Sequence, residues 1–169
     1  MDCMNELLDA ANSVFDDVVA FRRDIHQHPE LSFEEFETSK FIQSKLKEWG
    51  IEFKTGFVKT GIVALITPDQ PTDKCIALRA DMDALPIHEK NEVDYKSKNE
   101  GVMHACGHDV HITMIVHMAE MLAELRDHWS GTVVMVAQPA EEIGSGSRAM
   151  IQDGLFDFAP KPDFCLAMH

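Results

Sequence analysis

Apolar residues recur at helical spacing through the first fifty positions and then give way to short β-like runs. Val14, Val18, Phe21 and Ile25 line one side of a segment from Val14 to His26, which predicts a helix closed by Pro29. Ser32 followed by Glu35 has the spacing of a capping box. It predicts a second helix bearing Phe36, Phe41, Ile42 and Leu46, with Gly50 beyond its end. Past Gly50, the runs Ile51–Phe57, Gly61–Ile66 and Cys75–Ala80 predict strands, the first two pairing as a hairpin. Turn formers from Pro68 to Pro71 separate the second and third, and residues 87–101 carry no period and predict a surface loop. Helical spacing returns from Asp109 to Arg126 through Ile112, Ile115, Val116, Ala119, Leu122 and Ala123. Thr132–Ala137 then predicts a buried strand, Gly144–Ser147 leads into a short helix near Arg148–Gln152, and Asp163–Met168 predicts a last, central strand. This alternation predicts an α/β domain with a mostly parallel mixed sheet flanked by helices. No internal repeat or low-complexity tract interrupts it.

Composition narrows the class. The 169 residues are 45% hydrophobic and 26% charged, as in a soluble domain built on one core. Fifteen basic residues against 29 acidic ones give a formal charge of -14. That field repels phosphate backbones and anionic lipid, which argues against nucleic-acid and membrane partners. The acidic start from Met1 to Leu8 lacks the basic flank of a secretory signal, and no apolar stretch approaches the roughly 20 residues that span a bilayer, so the cytoplasm is the expected compartment. Cys3, Cys75, Cys106 and Cys165 are scattered singly and are expected as reduced thiols. The sequence stops at His169 directly after the apolar run Phe164–Met168, which reads as a piece of a longer product.

The chemistry is concentrated in four places. From His104 to His111, eight residues hold one thiol, three imidazoles and a carboxylate at a loop that opens a helix. These donors suit zinc and similar divalent ions, and Gly107 lets the backbone turn so that Cys106 and His108 converge. A cysteine at a helix start also has its thiolate favoured. The competing reading is a polar loop with incidental histidines. Gln138–Glu142 follows a strand at its carboxyl end, where α/β sheets place ligands. Consecutive strand residues face opposite ways, so Glu141 and Glu142 serve one site only if the chain leaves strand geometry, as Pro139 and Gly144 permit. One would then ligate a metal while the other handles protons; otherwise the segment is a solvated acidic turn. In Arg79–Pro86, alternation puts Asp81 and Asp83 on one face, suited to orienting histidine ligands. His169 ends another strand. Gly144–Ala149 also fits G-x-G-x-x-A, but it lies too far from the strand end near Ala137 for the tight turn that a dinucleotide fingerprint requires. His26, His28, His88, His117 and His128 stand alone and are read as surface or core residues.

Together, Phe21–Leu31, Arg79–Pro86, His104–Asp109 and Gln138–Glu142 resemble, in order, the signature blocks of the metal-dependent amidohydrolases that include hippurate hydrolase, N-acyl-amino-acid amidohydrolases and the auxin-conjugate hydrolases. The match runs from about residue 15 to the end. The resemblance implies a zinc-exopeptidase-like catalytic domain with two divalent ions, Zn or Mn first and Co or Ni compatible. Cys106, His108, Glu142 and His169 would be ligands, with Cys106 where the wider peptidase family has a bridging aspartate. Glu141 would be the general base, and Asp81, Asp83 and Asp109 would support the ligands; His111 belongs to the same block without an assigned role. No organic cofactor is implied. The reaction would release a carboxylic acid and a free amino acid from a small N-acyl amino acid. Family members are longer, often dimeric, with a lid or dimerisation domain inserted in the catalytic domain and a further ligating histidine near the C-terminus. On that resemblance residues 1–169 are the N-terminal portion of a catalytic domain, truncated before the lid. A metal-binding remnant without catalysis and a nucleotide-binding domain are the alternatives.

Overall fold

The computed structural model describes residues 3–169. Five strands, β1 (Glu52–Phe57), β2 (Gly61–Ile66), β3 (Gln70–Asp81), β4 (Ser130–Gln138) and β5 (Phe164–Ala167), form one sheet in the order β1-β2-β4-β3-β5. Among the described residues six helices accompany it: α1 (Cys3–Ser13), α2 (Phe15–Gln27), α3 (Phe36–Glu48), α4 (His108–Glu124), α5 (Gly146–Gln152) and α6 (Leu155–Phe158). The sheet is mixed. β1–β2 and β2–β4 pair antiparallel, whereas β3 pairs parallel with β4 and β5. Thus β3, β4 and β5 share a direction and bring their carboxyl ends to one side, the edge at which open α/β sheets bind ligands.

Two apolar layers hold the sheet between helices. On one face, Phe21 and Ile25 of α2, Ile42 and Leu46 of α3 and Ile112 and Val116 of α4 pack against Ile62, Ala64, Met135 and Ala137. On the other, Met150 and Leu155 cover Val63, Ala77, Val134 and Val136. The central strands β2 and β4 are covered on both faces, which is why they read as continuous apolar runs rather than alternating ones. Ile42 and Leu46 are wholly buried; truncating either to alanine removes about 2–5 kcal/mol.

Several elements differ from the sequence expectation. The capping box does not form. The Ser32 hydroxyl instead donates to Asp83 Oδ2 at 2.6 Å, and the Glu35 carboxylate turns into the interior. The first amides of α3 are capped by Glu30, which accepts from Glu37 N at 3.0 Å and Thr38 N at 2.8 Å. α1 and α6 were not anticipated, and β3 begins at Gln70, earlier than Cys75. β5 lies at the sheet's edge with all four residues exposed, not at its centre, because its apolar run meets no second neighbouring strand. Within the expected surface loop, Glu89 is buried. Cys75, Cys106 and Cys165 are free thiols, while the Cys3 side chain lies outside the described residues. Among the described residues no helix is long and apolar enough to cross a membrane.

Candidate metal centre

The carboxyl ends of β3, β4 and β5 meet the N-terminus of α4. Gly107 precedes that helix with φ 92°, a left-handed conformation that glycine adopts without a Cβ penalty. It delivers His108 into the interior, fully buried. His108 Nδ1 donates to the main-chain oxygen of Asp83 at 2.8 Å. Its other nitrogen, Nε2, is thereby left to accept or ligate. Around Nε2 stand His169 Nε2 at 3.4 Å, Glu141 Oε2 at 3.5 Å, Asp81 Oδ2 at 3.6 Å and Glu142 Oε1 at 3.8 Å. Cys106 Sγ is 3.9 Å from His169 Nε2.

Cys106, His108 and His169 form one convergent donor group, and Asp81, His108, Glu141 and His169 form another, each with all donor atoms within 4.8 Å. Glu142 Oε1 is buried and has no hydrogen-bond partner. Burial pushes the Cys106 thiol up, and the charges of Glu142, Glu141 and Asp81 push it further. A thiol, two imidazoles and three carboxylates crowded in this way, one oxygen without a partner, lack a positive charge at their centre. The donor set fits a divalent cation, and thiolate with imidazole suits zinc. Asp81 was expected to act behind the ligands, yet its Oδ2 stands among the donors. Arg79 Nη1 holds it at 2.8 Å, and His111 Nδ1 bonds its Oδ1 at 2.8 Å. His111, unassigned from sequence, thus fixes a donor carboxylate.

Glu141 and Glu142 reach the same site because the chain leaves strand geometry after Gln138. Ala140 has φ 53°, a conformation costing about 1–2 kcal/mol in a residue with a Cβ. Asp83 receives the next two amides, Glu141 N on Oδ1 and Glu142 N on Oδ2, each at 3.0 Å. Burial would raise the Asp83 carboxyl, but His108, the Ser32 hydroxyl and these amides together hold it down at about 2. The turn closes through Gly144 N to Glu141 O at 2.7 Å and Gly146 N to Ala140 O at 3.1 Å. A Cβ on Gly146 would stand 1.6 Å from the Pro139 oxygen. The glycines of the G-x-G-x-x-A stretch therefore shape the turn that presents two carboxylates, which removes the support for the nucleotide reading.

Asp109 was expected beside the ligands and instead faces α2. Its Oδ2 hydrogen-bonds His26 Nδ1 at 2.7 Å and forms an ion pair with Arg22, Nε at 2.8 Å, because the first turn of α4 points that side chain away from the sheet's end. His26 Nε2 contacts Glu89 Oε1 at 3.2 Å, and Glu89 Oε2 accepts from Ser97 N at 2.7 Å. This network ties α2, the loop after β3 and the start of α4 together. His26, Glu89 and Asp109 are buried. Beside it His104 is buried with neither ring nitrogen partnered, and burial pushes it down to about 4, so it stays neutral. His26 and Glu89 carry no local sequence signal, since their partners lie 83 and 63 positions away.

The chain is similar to several known proteins. Residues 77–169 match Peptidase family M20/M25/M40. The chain is 50% identical over 151 residues to IAA-amino acid hydrolase ILR1-like 2 of Arabidopsis thaliana, covering 88% of this chain and 34% of that protein. It is 48% identical over 136 residues to hippurate hydrolase of Campylobacter jejuni, covering 80% and 35%. It thus spans about a third of the length of these relatives. Among solved structures, the Bacillus subtilis YXEP protein, described as a dinuclear metal binding peptidase from the M20 family, superposes with a TM-score of 0.82 at 42% identity, covering 86% of this chain and 41% of that one. With its matched segment reaching from β3 to the last donor histidine, the chain belongs to peptidase family M20/M25/M40.

Proposed function

We propose that this chain provides the metal-binding and proton-transferring residues of an amidohydrolase that cleaves N-acyl amino acids into a carboxylate and a free amino acid. The observation that carries the reading is the position of Glu141. Its carboxylate is 32% exposed, yet Oε2 lies 3.5 Å from His108 Nε2 and 3.8 Å from His169 Nε2. It can meet both a substrate and the donor cluster. Cys106, His108, Glu142 and His169 would hold two divalent ions, Zn or Mn, with Co or Ni compatible; Asp81 is near enough to join them. When bound, such ions lower the pKa of water towards neutrality and polarise an amide carbonyl. Glu141 accepts the proton of the attacking water and delivers it to the leaving amine. Asp83 holds the backbone of Glu141 and, through its carbonyl, the His108 ring. The amide-hydrolase names of the relatives support this bond type. We assign the 169 residues to the N-terminal part of the catalytic domain of a cytoplasmic, homodimeric enzyme.

Release of free amino acid from N-acetyl, N-benzoyl and indole-acetyl amino acids by the Zn- or Mn-loaded chain tests the reading. Metal-dependent release supports it, and the responding conjugate identifies the acyl class. A folded, metal-loaded chain that releases nothing, alone or within its longer parent, favours the metal-binding reading without catalysis.

A further inference from the structure

Glu35 is wholly buried, yet none of its hydrogen bonds goes to a candidate metal donor. Its Oε1 accepts from Phe33 N at 3.0 Å and Ala140 N at 2.9 Å, while Oε2 accepts from the Thr60 hydroxyl at 2.6 Å. Both amides belong to residues in the left-handed region, Phe33 with φ 65° and Ala140 with φ 53°. Such backbones persist where the surroundings hold them. Thr60 follows the β1–β2 turn at Val58 and Lys59, the other non-glycine residues with positive φ among the described residues, and its carbonyl receives the Ser39 hydroxyl at 2.7 Å. One buried carboxylate therefore joins the entry to α3, the hairpin turn and the segment after β4. With Asp83 taking the amides of Glu141 and Glu142, two carboxylates secure three consecutive amides.

We propose that Glu35 is a positioning residue of the candidate centre: by accepting the Ala140 amide it keeps Ala140 left-handed, and so sets the direction in which the Glu141 and Glu142 side chains leave the backbone. The roles of those two side chains rest on the function proposed above; the backbone restraint does not. Burial raises the Glu35 carboxyl, opposed by the Thr60 hydroxyl and the amides, and Oε1 can accept in either protonation state.

Amide hydrogen exchange reads the restraint without needing metal or turnover. In Glu35→Ala, exchange at Ala140 rises about tenfold, the worth of one net hydrogen bond, while the amides of β4 keep their rates. Glu35→Gln retains an acceptor at Oε1 and stays near the unaltered chain. Adding Ala140→Gly to Glu35→Ala restores metal affinity and kcat, with KM little changed throughout, because glycine adopts positive φ without the restraint. That second change also relieves the cost of a left-handed alanine, so the β4 amides make the distinction: a general loss of stability raises their exchange together with that of Ala140. Unchanged exchange at Ala140 in Glu35→Ala, or Glu35→Gln behaving like Glu35→Ala, overturns the proposal. Should Glu35→Ala fail to fold, slow exchange of Ala140 in the unaltered chain and in Glu35→Gln supports it, and fast exchange in the unaltered chain overturns it. Local exchange as expected with no metal bound by any variant would count against the function and leave the restraint standing.

Discussion

His108 and Asp83 are joined twice, through the 2.8 Å bond from Nδ1 to the Asp83 carbonyl and a 3.4 Å approach of the same nitrogen to Oδ1. Since Asp83 also receives the amides of Glu141 and Glu142, one residue after β3 fixes an imidazole from α4 and two carboxylates after β4. The site is held from its backbone side, and its side chains meet in front.

Asp83 makes the fold sensitive to acid in a defined window. Its carboxyl sits at about 2 in the folded chain against 3.8 unperturbed, so its contribution is complete above about pH 4 and is lost as pH falls towards 2. A difference of that size contributes about 2 kcal/mol. Acid unfolding of the metal-free chain should steepen in this window, and Asp83→Asn should lower stability at pH 7 while flattening the curve below pH 4. An Asp83→Asn curve parallel to that of the unaltered chain would refute the assignment.

Glu141→Gln should lower kcat by about 100-fold or more, in line with the loss of a general base, with metal retained. Glu142→Gln should release metal. Metal content beside steady-state rates checks both, and the opposite pattern would mean that the two glutamates exchange roles.

Cys106→Ser should weaken metal binding by at least the roughly 10–100-fold associated with losing a ligand's supporting partner, and should abolish the thiolate-to-metal absorption of a cobalt-loaded chain. Retention of that band would place the thiolate ligand elsewhere.

His26→Ala leaves Asp109 and Glu89 buried with fewer partners and should cost about 2 kcal/mol. A melting temperature lowered by about 4–8 °C would register it. The metal donors are untouched, so affinity measured well below the transition should change little.

How far the chain could be read in advance follows from the range of each interaction. α2, α3 and α4 were legible because three- and four-residue spacing is a local property, and Cys106, His108, Glu141 and Glu142 stood out as candidate site residues because they fall in dense blocks. Ser32 and Glu35 have capping-box spacing, but spacing cannot reveal that Asp83, Thr60 and Ala140, far along the chain, take those side chains for other bonds. The apolar run of β5 suggested a central strand, since hydrophobicity alone does not say how many neighbours a strand has. Asp109 carried the right chemistry for a supporting carboxylate, and its first-turn position on α4 aimed it elsewhere.

His169 lies two residues beyond β5, a four-residue strand paired with β3 alone through Ile76 to Arg79. If His169 donates as proposed, metal affinity would depend on how firmly β5 is held on β3. The dependence is reciprocal: whatever binds the docked arrangement better than the frayed one draws the strand onto the sheet. The ion would act as a clasp on the outermost strand, and weakened β3–β5 pairing would register as poorer metal retention while the donors stayed chemically intact.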